Sequence, residues 1–575
     1  MRKFFMFIVA LFGLLLAYVF NPFKSGGKSP IVQTSYGKIV GSIHFSRMGK
    51  EFYQYLGIPY ALPPIGERRF EPPQPPIPWE GVKETTTFGS KCIQLEMLSN
   101  GLVGSEDCLF LNVFAPKEKK SNDLPVMVFI HGGAFVCGDS NMYKPNYFMD
   151  EQVILVTLNY RLAALGFLNT GDSVVRGNMG LKDQLMALTW INSNIKYFGG
   201  DPNRVTLFGE SAGAASVCYH ILSPRSKGLF SKAIAQSGTS LNFWAMYPHP
   251  KKQSQRFAAK FGCSVEDSKE MVACLKKINA ADLVKEHIEM RQYLRDGITV
   301  FVPTLEAYVD ENTFMSEDPR VLLKEGRFNK VPMIAGVTSE EGLLTSAIMA
   351  VNQTKLEEAN ERFTWWLSRT WNITADDEKA KLVRKFYFGN NDNIATASLL
   401  TNYTNCLSDG YFFVSNHQYA KLYSDHAPIR LYYYTHKGDF SLAVLLTAGQ
   451  GRFPFAVNIF FNILGHWFRR TVLNEDIPHW GAAHSDELPL FFQFMWWFRI
   501  HTNSKDFDLS ANMVKLWVSF ATNEASKDLT YTNLKWPTVS SRDSQFTYLQ
   551  IDTQPQLIDE PFRDRVEFRE RLFPS

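Results

Sequence analysis

The chain has 575 residues and a formal net charge of +3, with both signs scattered along it, so neither a nucleic-acid partner nor a polybasic membrane patch is expected. A hydrophobic content of 45% and an aromatic content of 14% are ample for a large core. No Gly/Ser-rich or Pro-rich tract, charge block or repeat interrupts the sequence beyond residue 30, so a single α/β domain with long insertions is expected over residues 30–565.

The N-terminus differs in character from the rest. Arg2 and Lys3 precede an uncharged run from Phe4 to Phe20 that Asn21-Pro22 stops. The run is longer than a usual signal h-region and shorter than the ~20 residues that span a bilayer comfortably. It favours a signal peptide over residues 1–22, with an uncleaved signal anchor as the alternative. Either reading sends the main domain into the secretory pathway, secreted or anchored by this segment. Three N-x-S/T sequons, at Asn352, Asn372 and Asn402, would then carry surface glycans.

Five short apolar, mostly β-branched runs read as buried strands: Val126–Ile130, Val153–Leu158, Val205–Phe208, Val331–Val337 and Ile429–Tyr434. Helical stretches lie between them, notably Lys182–Ile195 and the segment after Ser211. Alternation of this kind implies an α/β fold with a large, mostly parallel central sheet covered by helices, and catalytic groups beyond the carboxyl ends of its strands. Further on, Phe453–Phe468 is uncharged; it reads as a buried helix or as an apolar cap over a substrate gorge or membrane-leaning patch. The aromatic run Phe491–Phe498 reads first as core packing and would also suit a lipophilic ligand.

One strand is followed by Gly209-Glu210-Ser211-Ala212-Gly213 and a helix-prone segment. Strand, sharp turn and helix with Ser at the apex make a nucleophile elbow, in which the turn holds the Ser Oγ clear of the sheet. Upstream, another strand ends in His131-Gly132-Gly133-Ala134-Phe135, whose small residues let backbone N–H groups approach a developing oxyanion. Of seven cysteines, Cys92/Cys108 and Cys263/Cys274 are close enough in sequence to close short loops. The odd count leaves at least one thiol free. Cys137 and Cys218 flank the catalytic segments and read as small buried apolar residues. No C-x-x-C or His cluster suggests zinc, and no metal or cofactor is called for.

Together with Ser105–Val113, Asn159-Tyr160-Arg161-Leu162 and Gly199-Gly200-Asp201-Pro202-Asn203, these motifs resemble the type-B carboxylesterase family of α/β-hydrolases over about Val32 to Phe562. That family includes carboxylesterases, cholinesterases and neuroligins. The resemblance implies Ser211 as nucleophile, Glu341 in Thr338-Ser339-Glu340-Glu341-Gly342 as orienting acid and His484 in Gly481–Leu488 as base. Glu340 is taken as an ordinary polar loop residue. The resemblance also implies oxyanion donors at the N–H groups of Gly133, Ala134 and Ala212. Ala134 replaces a commoner glycine; its methyl would narrow the hole and forbid a glycine-only backbone angle.

Glu210 matches the acidic neighbour of the nucleophile and Trp244 a residue that shapes the acyl side of the pocket. The disulfides Cys92–Cys108 and Cys263–Cys274 and a buried Arg69–Glu106 ion pair are likewise implied. Cys406 matches half of a further disulfide without its partner, leaving a free thiol or an intermolecular link. The loop Ile93–Asp107 contains no aromatic residue, which disfavours a choline-binding cation–π site. The general carboxylesterases of invertebrates fit best. The implied activity is hydrolysis of a small, lipophilic carboxylic ester through an acyl-enzyme. The alternative is a weakly catalytic or non-catalytic protein of this fold that sequesters esters or serves in adhesion.

Overall fold

The structure is a computed structural model that describes residues 26–573, apart from 97–100, 291–299, 372, 374–377, 392, 439–440, 449–480, 495–498 and 524–527. The N-terminal segment 1–22, the sequon residue Asn372, the apolar stretch Phe453–Phe468 and the last part of the aromatic run at 491–498 therefore lie outside the described residues.

All five apolar runs form strands: Leu124–Ile130, Ile154–Leu158, Gly200–Glu210, Met333–Thr338 and Ile429–Tyr434. Every residue of Leu124–Ile130, Ile154–Leu158 and Met333–Thr338 is buried, because helices cover both faces and neither side can be polar. Successive side chains divide between two cores. Val126, Val128 and Ile130 join one, whereas Met127 and Phe129 join the other. A sixth central strand, Lys232–Gln236, is equally buried but is composed of Lys, Ala, Ile, Ala and Gln, so Ile234 is its one β-branched residue and no apolar run marks it. Its Lys232 is accommodated because the ammonium donates to the carbonyls of Phe520 and Ala521 at 2.7 and 3.0 Å.

The sheet has thirteen strands among the described residues. Its parallel centre runs in the order Ile154–Leu158, Leu124–Ile130, Gly200–Glu210, Lys232–Gln236, Met333–Thr338, Ile429–Tyr434 and Thr547–Ile551. Antiparallel strands extend one side through Phe110–Pro116, Glu51–Pro59, Gly37–Phe45 and Lys28–Thr34, and the other through Gln556–Asp559. Leu124–Ile130 lies between a strand that follows it directly and Gly200–Glu210, so the chain leaves it in one direction and returns on the other side. The loops after Ile130 and Glu210 therefore emerge side by side at a topological switch point, where α/β sheets place their ligands.

Both expected disulfides are formed, Cys92–Cys108 and Cys263–Cys274. Cys137, Cys218 and Cys406 form no disulfide and are buried, and burial removes Cys406 from any intermolecular link. Arg69 makes a two-pronged bond to Glu106 at 2.6 Å on each oxygen and also donates to the carbonyls of Leu275, Lys276 and Ile278. It thus ties the first disulfide loop to the helix that carries Cys274. Of the sequons, Asn352 caps the helix Gln353–Glu361 through its side-chain oxygen, and Asn402 uses its amide to donate to the Tyr387 carbonyl at 2.8 Å. Among the described residues, no helix is long and apolar enough to cross a membrane.

Arg161, in the loop after Ile154–Leu158, is buried against Asp183 of the helix Met179–Asn194. Its guanidinium meets both carboxylate oxygens at 2.8 and 2.7 Å, and its backbone N–H donates to the same group. Removing one member of a fully desolvated pair leaves the other charge uncompensated, which costs about 3–5 kcal/mol. Asp183→Ala is expected to lower the midpoint of chemical unfolding by that amount of stability; a variant within about 0.5 kcal/mol of wild type would contradict the assigned role.

Candidate active site

Ser211 stands between the strand Gly200–Glu210 and the helix Ala212–Leu222 with φ 58° and ψ −121°. Such a conformation costs a non-glycine residue about 1–3 kcal/mol and persists only where its surroundings impose it. Here the Ser211 N–H donates to the Gln236 carbonyl at 2.8 Å, the Ser211 carbonyl accepts from Ala215 at 3.0 Å, and the helix beyond is buried along its whole length. The turn is possible because Gly213 has no side chain: a Cβ there would lie 2.0 Å from the Ile130 carbonyl oxygen. The same closeness brings the loop after Ile130 onto the elbow, where a Cβ on Gly132 would lie 3.0 Å from that of Ser211.

In that loop Gly133 has φ 106°, Ala134 φ 56° and Phe135 φ 61°. Ala134 thus takes a positive φ, which L-residues enter at a cost. The carbonyl of Gly133 accepts from Val136 and Cys137, closing the loop on itself. The N–H groups of Gly133, Ala134 and Ala212 take no acceptor among the described residues, leaving three donors near Ser211. Ala212 is the first residue of its helix, so its N–H also lies at the positive end of the helix dipole. His131 braces the loop from behind: its ring stacks on Tyr160 at 4.4 Å, and burial pushes its pKa down to about 4, so it is neutral.

Two further loops deliver an imidazole and a carboxylate. His484 and Glu341 are buried, 143 positions apart, and joined by a 2.6 Å contact between Nδ1 and Oε2. The other oxygen of Glu341 accepts from the Thr338 N–H at 2.9 Å and from the Ser237 hydroxyl at 2.5 Å. All its lone pairs but one are thereby engaged, and the carboxylate cannot swing away from the ring. On the opposite side, His484 Nε2 lies 3.1 Å from Glu210 Oε1, which also accepts from the Ser485 hydroxyl. Burial by itself would lower the His484 pKa. Glu210 and Glu341, with a smaller contribution from Glu487, outweigh it and push it up to about 9. Glu210 in turn is raised by burial, and His484 and Ser485 pull it back.

Phe412 and Trp244 extend the site beyond His484. The Phe412 ring stacks on His484 at 4.5 Å and lies 5.7 Å from Trp244, whose indole N–H donates to the Tyr411 carbonyl at 3.0 Å. The imidazole thus meets Glu341, Glu210 and Phe412, and Phe412 meets Trp244; Ser211 follows Glu210 directly, and no hydrogen bond joins its hydroxyl to His484 among the described residues. Sequence reading missed Ser237, Ser485, Phe412 and Glu487. Glu487 is fully buried, raised to about 8 by burial and by Glu210 and Glu341, and held by Gln236 at 3.3 Å. Ser237, Ser485 and Phe412 have no motif of their own, and Glu487 was read only as part of the pattern Gly481–Leu488; contacts between distant segments reveal them. Among the described residues, no group of His, Cys, Asp and Glu side chains could hold a metal ion. A cavity of about 720 Å3, lined by Leu222, Lys227, Phe230, Phe314 and Arg327 among others, opens at the far end of the helix Ala212–Leu222. At 1.5 Å per residue that end is ~16 Å from Ser211, so this cavity is not the reaction site.

Comparison with known proteins agrees with the geometry. The sequence profile described as Carboxylesterase family matches residues 28–569. The chain is 36% identical to a juvenile hormone esterase of Tribolium castaneum, over 86% of this chain and 83% of the relative. It is 35% identical to a carboxylic ester hydrolase of Bombus ignitus, over 96% and 94% of the two chains. It is also 31% identical to neuroligin-2 of Mus musculus, over 95% of this chain and 68% of that one. The α/β-hydrolase architecture, the elbow and the length of the match agree, and the chain belongs to the carboxylesterase family.

Proposed function

We propose that the protein is a serine carboxylesterase that hydrolyses small, lipophilic carboxylic esters through a Ser211 acyl-enzyme. The observation that carries this reading is the 2.6 Å contact between His484 and Glu341, formed against Glu210, the residue that precedes a serine held in a strained elbow. The substrate carbonyl oxygen would face the N–H groups of Gly133, Ala134 and Ala212. Ser211 Oγ attacks the carbonyl carbon while His484 Nε2 takes its proton, and the three donors stabilise the oxyanion. Collapse breaks the bond to the alkoxy oxygen, which receives that proton and leaves as alcohol. Water then attacks the acyl-enzyme, His484 takes its proton, and the acid departs as Ser211 regains one. Glu341 fixes the imidazole tautomer and stabilises its cation throughout. Each bond change is balanced by these residues and water.

Glu210 sets the resting state. Nε2 must be free of its proton to act as base, whereas Glu210 and Glu341 together favour the imidazolium. The Phe412 and Trp244 rings give the acyl side an apolar wall, which supports a lipophilic ester. The two disulfides support passage through the oxidising secretory pathway, with glycans at Asn352, Asn372 and Asn402. The likeness to neuroligin-2 keeps a non-turning-over adhesion or sequestering role as the second reading, and the first experiment decides between them.

With a short-chain nitrophenyl ester, wild type is expected to show a burst followed by steady turnover, and Ser211→Ala neither, at unchanged melting temperature. A stoichiometric burst with negligible turnover would favour sequestration, and no burst from folded protein would favour adhesion. Glu341→Gln is expected to lower kcat by about 10⁴-fold through loss of the correct tautomer; a rate near wild type would mean that another acid orients the base.

Because the active form is neutral His484, kcat/KM should rise with pH, and its ascending limb should lie above the ordinary histidine range, toward 9. Glu210→Gln removes the largest raising contribution and should move that limb to lower pH. An unmoved limb would show that Glu210 does not govern the base.

A further inference from the structure

The residue before the orienting acid has a task of its own. Glu340 is half-buried just beyond the strand Met333–Thr338, and one of its carboxylate oxygens is taken by protein donors. Its Oε2 accepts from the Ala482 N–H at 2.8 Å and also from the Ser339 hydroxyl. Its own N–H donates to the Ala482 carbonyl at 2.9 Å, and Glu340 and Ala483 form an isolated parallel bridge. Ala482 and Ala483 are the two residues before His484, and the Ala483 N–H is taken by Asp486 at 2.8 Å. Both amides that lead into the base are thus held by carboxylates.

Gly481 completes the contact. It has φ 118°, and a Cβ there would lie 2.0 Å from the Glu340 carboxyl carbon. Glycine is required at this position by the place that the Glu340 carboxylate occupies, as well as by the backbone angle.

We propose that Glu340 is a positioning residue for His484: it fixes the backbone that carries the imidazole, while Glu341 orients the ring. The two adjacent carboxylates thereby divide one task. Glu341 acts on Nδ1, and Glu340 acts on the loop two residues upstream. A loop outside any helix or strand has no ladder of its own to hold a side chain to within the tolerance that proton transfer needs, and displacement by about 1 Å can cost ~10²-fold in rate. This inference rests on the proposed role of Ser211 and His484.

Three variants separate the backbone clamp from the charge. Glu340→Gln keeps an acceptor oxygen in the same place without the charge. Glu340→Asp keeps the charge but is one methylene short, and Glu340→Ala has neither. Each is compared with wild type for kcat and KM on a nitrophenyl ester, for the rate of labelling by a fluorophosphonate, and for melting temperature. The expected result is a fall of about 10- to 100-fold in kcat and labelling rate for Ala and Asp, with KM within about twofold, and rescue by Gln to within about threefold.

Folded Ala and Asp variants within about twofold of wild type would overturn the proposal. So would a Gln variant as slow as Ala, since charge rather than an acceptor would then matter. Should Glu340→Ala fail to fold, the Asp and Gln variants decide alone. Wild-type protein that fluorophosphonate does not label would instead sink the reading of Ser211, which keeps the two failures distinct.

Discussion

The site depends on one close approach, that of the helix after Ser211 to the end of the strand Leu124–Ile130. With only hydrogen on the Gly213 α-carbon, the helix comes so near that a methyl group would lie 2.0 Å from the Ile130 carbonyl oxygen. That contact sets the sharpness of the elbow and keeps Ser211 at φ 58°, against a local cost met by burial of the whole following helix. It also places the loop His131–Phe135 directly against the serine. Ser211 and the candidate oxyanion donors are therefore neighbours because two parallel strands are paired in a given register, Gly209 beside Ile130, rather than because either loop is rigid by itself.

Electrostatics then distinguishes two histidines that look alike in composition. His131 is buried beside a carbonyl and an aromatic ring, and loses its charge. His484 is equally buried but stands between Glu341 and Glu210, with Glu487 further off, and its charge is favoured. Burial acts in the same direction on both; the carboxylates decide the outcome because a low-dielectric setting strengthens their attraction. Crowding of acids has its own consequence. Glu487 and Asp486 are raised to about 8 and 7 by desolvation, so the negative charge around the base is less than a count of carboxylates implies.

Legibility followed local signal. The strands ending at Ile130 and Thr338 were visible as apolar runs because both of their faces are covered. Lys232–Gln236 was not, since two alanines, a lysine and a glutamine fill a strand whose burial comes entirely from its neighbours. Glu341 and His484 were locatable through the residues flanking them. Glu340 read as an ordinary polar loop residue, because its partners are the backbone of Ala482 and the empty α-carbon of Gly481, and backbone partners leave no trace in side-chain identity. Ala134 was read as a departure whose methyl would narrow the hole; its φ of 56° is one that alanine enters at a cost.

By itself the sequence determined the α/β class and the strand-turn-helix at Ser211, which are encoded locally in periodicity and turn chemistry. The two disulfides and the acid and base candidates were implied by the resemblance of longer motifs to the carboxylesterase family. The tertiary structure decided what depends on distance between segments far apart in the chain. It brought Glu341 to Nδ1 and Glu210 to Nε2 of one imidazole, gave Glu341 its anchors at Thr338 and Ser237, and placed Phe412 over the ring. It also made Glu340 a partner of the loop that carries His484. Such placements follow from strand order and register, and no run of neighbouring residues contains them.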